Sequence, residues 1–142
     1  MINLRHVGLI VNDIDKSYEL YRDILGFIPK VDQVEKGDFY EHLTGLVSGI
    51  ARTSKCYSED GTCIEFIEYQ SQSSVSRHKN LTSDGFNHIA LNVDDLDNLY
   101  IKLLDIGIEF INEPRLNPEK TAKVAFCKDF EGNLLELVQT SF

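Results

Sequence analysis

The residues best suited to chemistry in this 142-residue chain are two histidines and two glutamates that recur in the same order. His6 precedes Glu65, and His88 precedes Glu136. Neutral imidazole nitrogens and carboxylate oxygens are ligands that first-row divalent ions accept, and four of them leave octahedral positions open for a substrate. Taken alone, each histidine is better explained as a hydrogen-bonded strand residue, and each glutamate as a solvated one. The repetition of all four residues favours a metal site.

These four residues lie in a sequence that repeats itself once. The stretch HVGLIVNDID, which begins at His6, aligns with HIALNVDDLD, which begins at His88, 82 residues later. The stretch GTCIEF from Gly61 aligns with GNLLEL from Gly132, 71 residues later. The smaller second offset means that the first half has a longer middle, roughly residues 37–60. Two matched blocks in the same order indicate a duplicated module.

Each half has the pattern of one strand, one helix and three further strands. Residues 4–11 and 86–93 alternate between more and less apolar positions, as a half-buried strand does. An Asp-rich segment then favours a helix start, and each helix is expected to end at a glycine, Gly26 or Gly107. The later strands are predicted at 27–35, 48–57 and 62–69 in the first half and at 108–113, 122–128 and 133–139 in the second.

The predicted fold class is therefore α+β, with βαβββ modules at 1–70 and 86–142. The polar, serine-rich segment 71–85 is predicted to link them. Glu65 in CIEFI and Glu136 in LLELV have apolar neighbours. Partial desolvation of a carboxylate is costly unless it is paired or bound to a metal ion.

Other residues are weaker candidates for chemistry. His42 and His78 lie in polar stretches without a regular pattern and are expected at the surface. Glu68 is expected to be exposed on the strand face opposite the candidate ligands. Cys63 and Cys127 lie within predicted strands and are expected to fill space. The sequence has no nucleophile elbow and no glycine-rich phosphate loop.

Composition narrows the partners. The net charge of −9 argues against nucleic acid, whose recognition needs clustered Lys and Arg. No apolar run approaches the ~20 residues that span a bilayer, and the first residues lack the features of a signal peptide. Three cysteines without CxxC spacing fit neither a disulfide framework nor a zinc finger. We therefore expect a cytoplasmic protein without a nucleic-acid or membrane partner.

Three segments, HVGLIVNDIDKSYELYRDILGF, HIALNVDDLD and FCKDFEGNLLELVQ, resemble the vicinal oxygen chelate superfamily. That superfamily includes glyoxalase I, bleomycin-resistance proteins, extradiol dioxygenases and methylmalonyl-CoA epimerase, and the resemblance covers residues 4–139. It implies that the two modules curl into an incomplete mixed β-barrel around a metal site, with the helices outside. Carried over residue by residue, it implies that one divalent ion (Ni, Co, Zn, Mn or Fe) is held by His6, Glu65, His88 and Glu136.

The ligand pattern is most similar to that of bacterial glyoxalase I. There the ion binds two oxygens of a hemithioacetal, and a glutamate moves the proton. The resemblance therefore implies a lyase or isomerase that acts through a metal-chelated enediolate on a thiol adduct or a 2-oxo compound. Either Glu136 or Glu65 would be the catalytic base. We favour Glu136 because Leu134 and Val138 are expected to give it a drier surround.

Other members of the family remain alternatives. Epimerases often have Gln at the position of Glu65, extradiol dioxygenases and fosfomycin-resistance enzymes use two His and one Glu, and bleomycin-type binders usually lack the metal ligands. The alternatives are thus a dioxygenase, an epimerase, a thiol transferase or a non-enzymatic drug-binding protein. A homodimer is expected because open strand edges need covering and related glyoxalases assemble each site from two chains. Closure of the barrel within one chain is the alternative.

Overall fold

A computed structural model describes residues 1–75 and 79–142 of the chain. The chain divides into two compact units, Met1–Ser76 and Arg77–Phe142. This division falls inside the predicted linker, 71–85. No helix in the described residues is long and apolar enough to span a membrane.

The first unit contains a four-stranded mixed sheet. Its described elements are β1 (Val7–Ile10), α1 (Ile14–Tyr21), β2 (Ile28–Glu35), α2 (Asp38–Thr44), β3 (Ala51–Tyr57) and β4 (Cys63–Tyr69). The strands lie in the order β1-β4-β3-β2. The first and last strands of the unit are parallel, and the other neighbours are antiparallel.

The second unit repeats this arrangement. Its described elements are β5 (His88–Asn92), α3 (Leu96–Asp105), β6 (Glu109–Phe110), β7 (Arg115–Leu116), β8 (Lys123–Lys128) and β9 (Leu134–Gln139). The strand order is β5-β9-β8-β6, and β7 also pairs with β8. Again the first and last strands are parallel. The predicted α+β class with two βαβββ modules is confirmed.

The register of the parallel pairs is the same in both units. In the first unit Gly8 lies opposite Glu65, and in the second Ala90 lies opposite Glu136. Each glutamate is thus paired with the residue two positions after its histidine. Because side chains alternate between the faces of a strand, histidine and glutamate lie on the same sheet face in each unit.

The long helices begin as their sequences predict. The Asp13 carboxylate accepts a hydrogen bond from the Lys16 N–H, and the Asp95 carboxylate accepts one from the Asn98 N–H, both at 3.0 Å. Such N-caps satisfy backbone donors that have no partner within the helix and typically contribute about 1 kcal/mol.

A side chain from the last strand of each unit also binds the start of the helix. The Ile14 N–H donates to Glu68 Oε2 at 2.8 Å, and the Leu96 N–H donates to Gln139 Oε1 at 2.9 Å. The expectation that Glu68 is exposed is therefore wrong, because the first helical turn supplies a free donor and a positive dipole end for its carboxylate.

Each helix lies against the sheet face opposite the histidine and glutamate. In the first unit Tyr21 and Phe66 are fully buried there, with ring centroids 4.8 Å apart. In the second unit Leu103 and Leu135 are fully buried. Burial of side chains of this size contributes roughly 1.5–3 kcal/mol each, so this face holds the core of each unit and leaves the other face for chemistry.

Two elements differ from the prediction. The long middle of the first half, 37–60, contains the short helix α2, and β3 begins only at Ala51. The single strand predicted at 108–113 is wrong, because β6 ends at Phe110 and β7 follows separately. Pro114, which has no N–H to donate, lies between these two short strands.

Candidate metal centre

The first histidine–glutamate pair lies at the parallel edge of the first sheet. His6 immediately precedes β1, Glu65 lies in β4, and His6 Nε2 is 2.9 Å from Glu65 Oε2. The Glu65 side chain is 15% exposed. A carboxylate that has lost most of its solvent is stabilised by hydrogen-bond donors or by a cation.

The second pair occupies the matching place in the second sheet. His88 Nε2 lies 3.4 Å from Glu136 Oε2, and the Glu136 side chain is 26% exposed. The contact with Asn87 determines the protonation of the second ring nitrogen of His88, Nδ1. Asn87 Nδ2 donates to the Asn80 carbonyl at 3.0 Å, so Asn87 Oδ1 is the atom 2.9 Å from His88 Nδ1. Since that oxygen can only accept, Nδ1 carries the proton.

The position of this proton determines whether His88 can bind a metal ion through Nε2. With the proton on Nδ1, a neutral His88 presents the lone pair of Nε2 toward the Glu136 carboxylate, and two lone pairs need a cation between them. Nδ1 bonded to a neighbouring oxygen is also the usual arrangement of a metal-binding histidine.

The donor separations fit as well. Two ligands about 2.1 Å from one ion are about 3.0 Å apart in octahedral geometry and about 3.4 Å apart in tetrahedral geometry. The observed separations are 2.9 and 3.4 Å. The shorter one also suits a hydrogen bond, whereas the longer one exceeds the usual N–H···O range of about 2.7–3.2 Å. The donor types, the tautomer and the distances therefore fit a divalent ion.

The residues opposite the two glutamates differ. Lys55 of β3 pairs with Glu65, and its Nζ lies 4.0 Å from Glu65 Oε1. The corresponding partner of Glu136 is Phe126 of β8, whose ring meets the His88 imidazole edge to face at 5.2 Å between centroids. One glutamate has a cation beside it, and the other has an aromatic ring.

Helix α2 brings a tyrosine close to the first pair. The pKa of Tyr40 is raised to about 12, mainly by burial, with smaller contributions from a hydrogen bond with Tyr69 and from the negative charges of Glu35 and Glu65. The phenol is therefore protonated at neutral pH and can donate a hydrogen bond. Sequence analysis missed Tyr40. The available signal was an aromatic residue in the extra segment of the first half.

The four predicted ligands thus form two pairs, one in each unit. Within each unit, the described residues contain no group of three or more His, Cys, Asp or Glu side chains that could hold a metal ion. His42 is exposed on α2 rather than in an irregular stretch, and His78 lies outside the described residues. Cys63 and Cys127 are buried free thiols, as expected, and burial raises the pKa of Cys127 to about 12.

Comparison with known proteins agrees with this architecture. A "probable lactoylglutathione lyase" from Synechocystis sp. is 31% identical over 139 residues, which are 97% of this chain and 95% of that protein. An uncharacterised Bacillus subtilis protein, YurT, is 30% identical over 93% of this chain and 94% of its own length.

Solved structures share the fold. A glyoxalase family protein from Bacillus cereus superposes with a TM-score of 0.90 at 19% identity, covering 98% of this chain and 94% of that one. The fosfomycin resistance protein FosX from Listeria monocytogenes, solved with Mn(II) and sulfate, superposes with a TM-score of 0.64 at 21% identity, covering 100% and 96%.

The family model described as "Glyoxalase/Bleomycin resistance protein/Dioxygenase superfamily" matches residues 3–137. These residues span both βαβββ units and all four candidate ligands. The chain belongs to the glyoxalase/bleomycin resistance protein/dioxygenase superfamily, also called the vicinal oxygen chelate superfamily.

Proposed function

We propose that the protein is a divalent-metal-dependent lyase or isomerase of glyoxalase type. In this proposal His6, Glu65, His88 and Glu136 together hold one metal ion. The observation that carries it is the repeated histidine–glutamate pair, which has the same register in both units and donor separations suited to a shared ion. The name of the Synechocystis relative supports the choice of reaction.

When bound, a divalent ion supplies Lewis-acid stabilisation of negative charge that develops on a substrate oxygen. The protein must then move a proton between adjacent carbons of a thiol adduct or 2-oxo compound. We assign this step to the Glu136 carboxylate, which takes the proton from one carbon and returns it to the next. The transfer needs no outside oxidant or reductant, since the product is an isomer of the substrate.

Charge rather than burial favours Glu136 as the base. Glu136 is the more exposed carboxylate, 26% against 15% for Glu65, so a drier surround is not what distinguishes it. Glu65 has the Lys55 ammonium 4.0 Å away, and this positive charge attracts its carboxylate, which suits a fixed ligand better than a group that must move a proton. Phe126 occupies the matching position opposite Glu136, so no lysine faces that carboxylate across the β8–β9 pair.

Metal content and proton exchange test the proposal together. Protein purified without chelator should contain about one divalent ion per chain. His88→Ala should lose most of it, because a ligand is removed, whereas His42→Ala, at an exposed helix position, should keep it. Loaded protein should exchange the C–H proton of a methylglyoxal–thiol adduct with D₂O. Metal content that is unchanged in His88→Ala would contradict the site, and a loaded protein without exchange would contradict the reaction.

We also propose that the protein acts as a homodimer, since both sheets are open, with β1 and β5 at an edge, and exposed strand edges need covering. A sedimentation experiment at micromolar concentration that finds only the 16.2 kDa chain would contradict this. Hybrid dimers of His6→Ala and His88→Ala chains locate the site. If each site takes one pair from either chain, the hybrid has one intact site and regains metal. If each site forms within one chain, the hybrid regains none.

A further inference from the structure

Lys55 lies on the face of the first sheet that carries His6 and Glu65. It lies directly opposite Glu65 in the β3–β4 register, and its side chain is 26% exposed. Glu65 Oε2 is 2.9 Å from His6, while Lys55 Nζ lies on the side of Oε1. The three side chains form a row across one sheet face, with the carboxylate in the middle.

The Lys55 ammonium has unused hydrogen-bonding capacity. At 4.0 Å from Glu65 Oε1 it is beyond hydrogen-bond distance, and it makes no hydrogen bond within the described residues. A lysine ammonium has three donors, and a largely buried one is costly to leave without acceptors. Lys55 shares its strand face with Thr53 and Tyr57, whereas Ser54 and Cys56 lie buried on the opposite, helix-covered face.

Charge counting suggests what this ammonium is for. A divalent ion held by two carboxylates and two neutral imidazoles forms a neutral group. The protein as a whole carries a net charge of −9, which repels anions. Lys55 adds one positive charge at the site itself. The second unit adds none at the matching position, which Phe126 occupies.

We propose that Lys55 is a specificity-determining residue that binds an anionic group, such as a carboxylate, on the substrate. This inference rests on the proposed function and specifies its substrate class as small molecules that carry one negative charge beside the two metal-binding oxygens. The competing explanation is that Lys55 only balances the charge of Glu65. The two explanations predict different binding. If Lys55 only balances the charge of Glu65, its removal should affect neutral and anionic ligands equally, whereas a direct contact with the substrate should affect anionic ligands alone.

A matched pair of chelators separates these explanations. Acetohydroxamic acid presents two adjacent oxygens and no further charge, and succinic monohydroxamic acid adds a carboxylate. Titration calorimetry of the nickel-loaded protein should show about tenfold tighter binding of the carboxylated compound at low salt. Lys55→Met should abolish this preference and change the affinity for acetohydroxamic acid by less than about twofold. Lys55→Arg should retain it.

Lys102→Met provides the matched control, since Lys102 is exposed on α3 and should not affect the preference. Urea unfolding of each variant checks that it is folded. Equal binding of both compounds by wild type, or a preference that survives in Lys55→Met, would overturn the proposal. A protein that retains no nickel and binds neither compound gives a different pattern, which overturns the proposed function and this inference with it.

Discussion

The two histidine–glutamate pairs have the same backbone frame but different neighbours. Each glutamate is paired with the residue two positions after its histidine on a parallel strand. Across the sheet, however, Glu65 faces Lys55 and Glu136 faces Phe126. The duplicated frame preserves where the donors lie, whereas the cross-strand position determines the charge around each carboxylate. A repeated module can thus place two carboxylates alike in the backbone frame and still surround them with unequal charge.

The comparison predicts the largest difference for loss of each carboxylate charge. Glu136→Gln should lower the proton-exchange rate by about 10²–10³-fold, because the proposed general base is removed while an oxygen donor remains. Glu65→Gln should lower it by less than about tenfold, because only a ligand is weakened. NMR exchange rates measured at equal metal occupancy provide the test. Equal losses, or a larger loss at Glu65, would reverse the roles of the two residues.

Exchanging the cross-strand neighbours tests whether charge or packing distinguishes the two glutamates. Phe126→Lys should place an ammonium opposite Glu136, as Lys55 is opposite Glu65, and should reduce proton exchange by about tenfold with the metal retained. Phe126→Leu keeps an apolar group there and should reduce exchange much less. If the leucine variant loses as much as the lysine variant, the ring's packing on His88 matters and the charge does not.

The sequence was sufficient to predict the frame but not these neighbours. The repeat identified both units and one histidine and one glutamate in each, and Asp13 and Asp95 cap helices as their positions suggested. To predict that Lys55 faces one glutamate and Phe126 the other, the register of the antiparallel strands must be known. A shift of one residue in that register would place different side chains opposite both glutamates. Helix α2 has no counterpart in the repeat. A seven-residue helix has little stability without tertiary contacts, so its pattern was too weak to recognise.

The helix-binding side chains of the last strands provide a smaller test. Glu68→Ala and Gln139→Ala should each lower the free energy of unfolding by about 1 kcal/mol, because each leaves a helix N-terminal donor without its acceptor. Glu68→Gln keeps an acceptor and loses only the favourable charge at the helix dipole, about 0.3–1 kcal/mol. Gln139→Glu should gain a similar amount. Urea unfolding measures all four, and a stabilised Glu68→Ala would contradict the assignment.

A final difference between the units lies on the helix-covered face of each sheet. In the first unit Arg52 binds Asp15, at 3.1 Å, and also holds Asp32 through two hydrogen bonds of 2.9 and 2.7 Å. In the second unit Lys123, 71 residues after Arg52, binds Asp97 at 2.5 Å. The first unit therefore has the stronger, bidentate contact in addition to the ion pair that the repeat conserves.

This contact should make stability depend on pH. The Arg52 hydrogen bonds hold the pKa of Asp32 below its usual range, so the contribution is complete above the unfolded-state pKa of about 3.9 and is lost as pH falls below it. Asp32→Asn should lower the free energy of unfolding at pH 7 by less than about 1 kcal/mol, because the side chain is 39% exposed and solvent screens the pair. The gap from wild type should stay constant down to about pH 5 and close below about pH 4. Asp97→Asn, at a 67% exposed position, is the matched control and should change stability less. Urea unfolding curves at several pH values provide the measurement, and a gap that widens in acid would contradict the role given to Arg52.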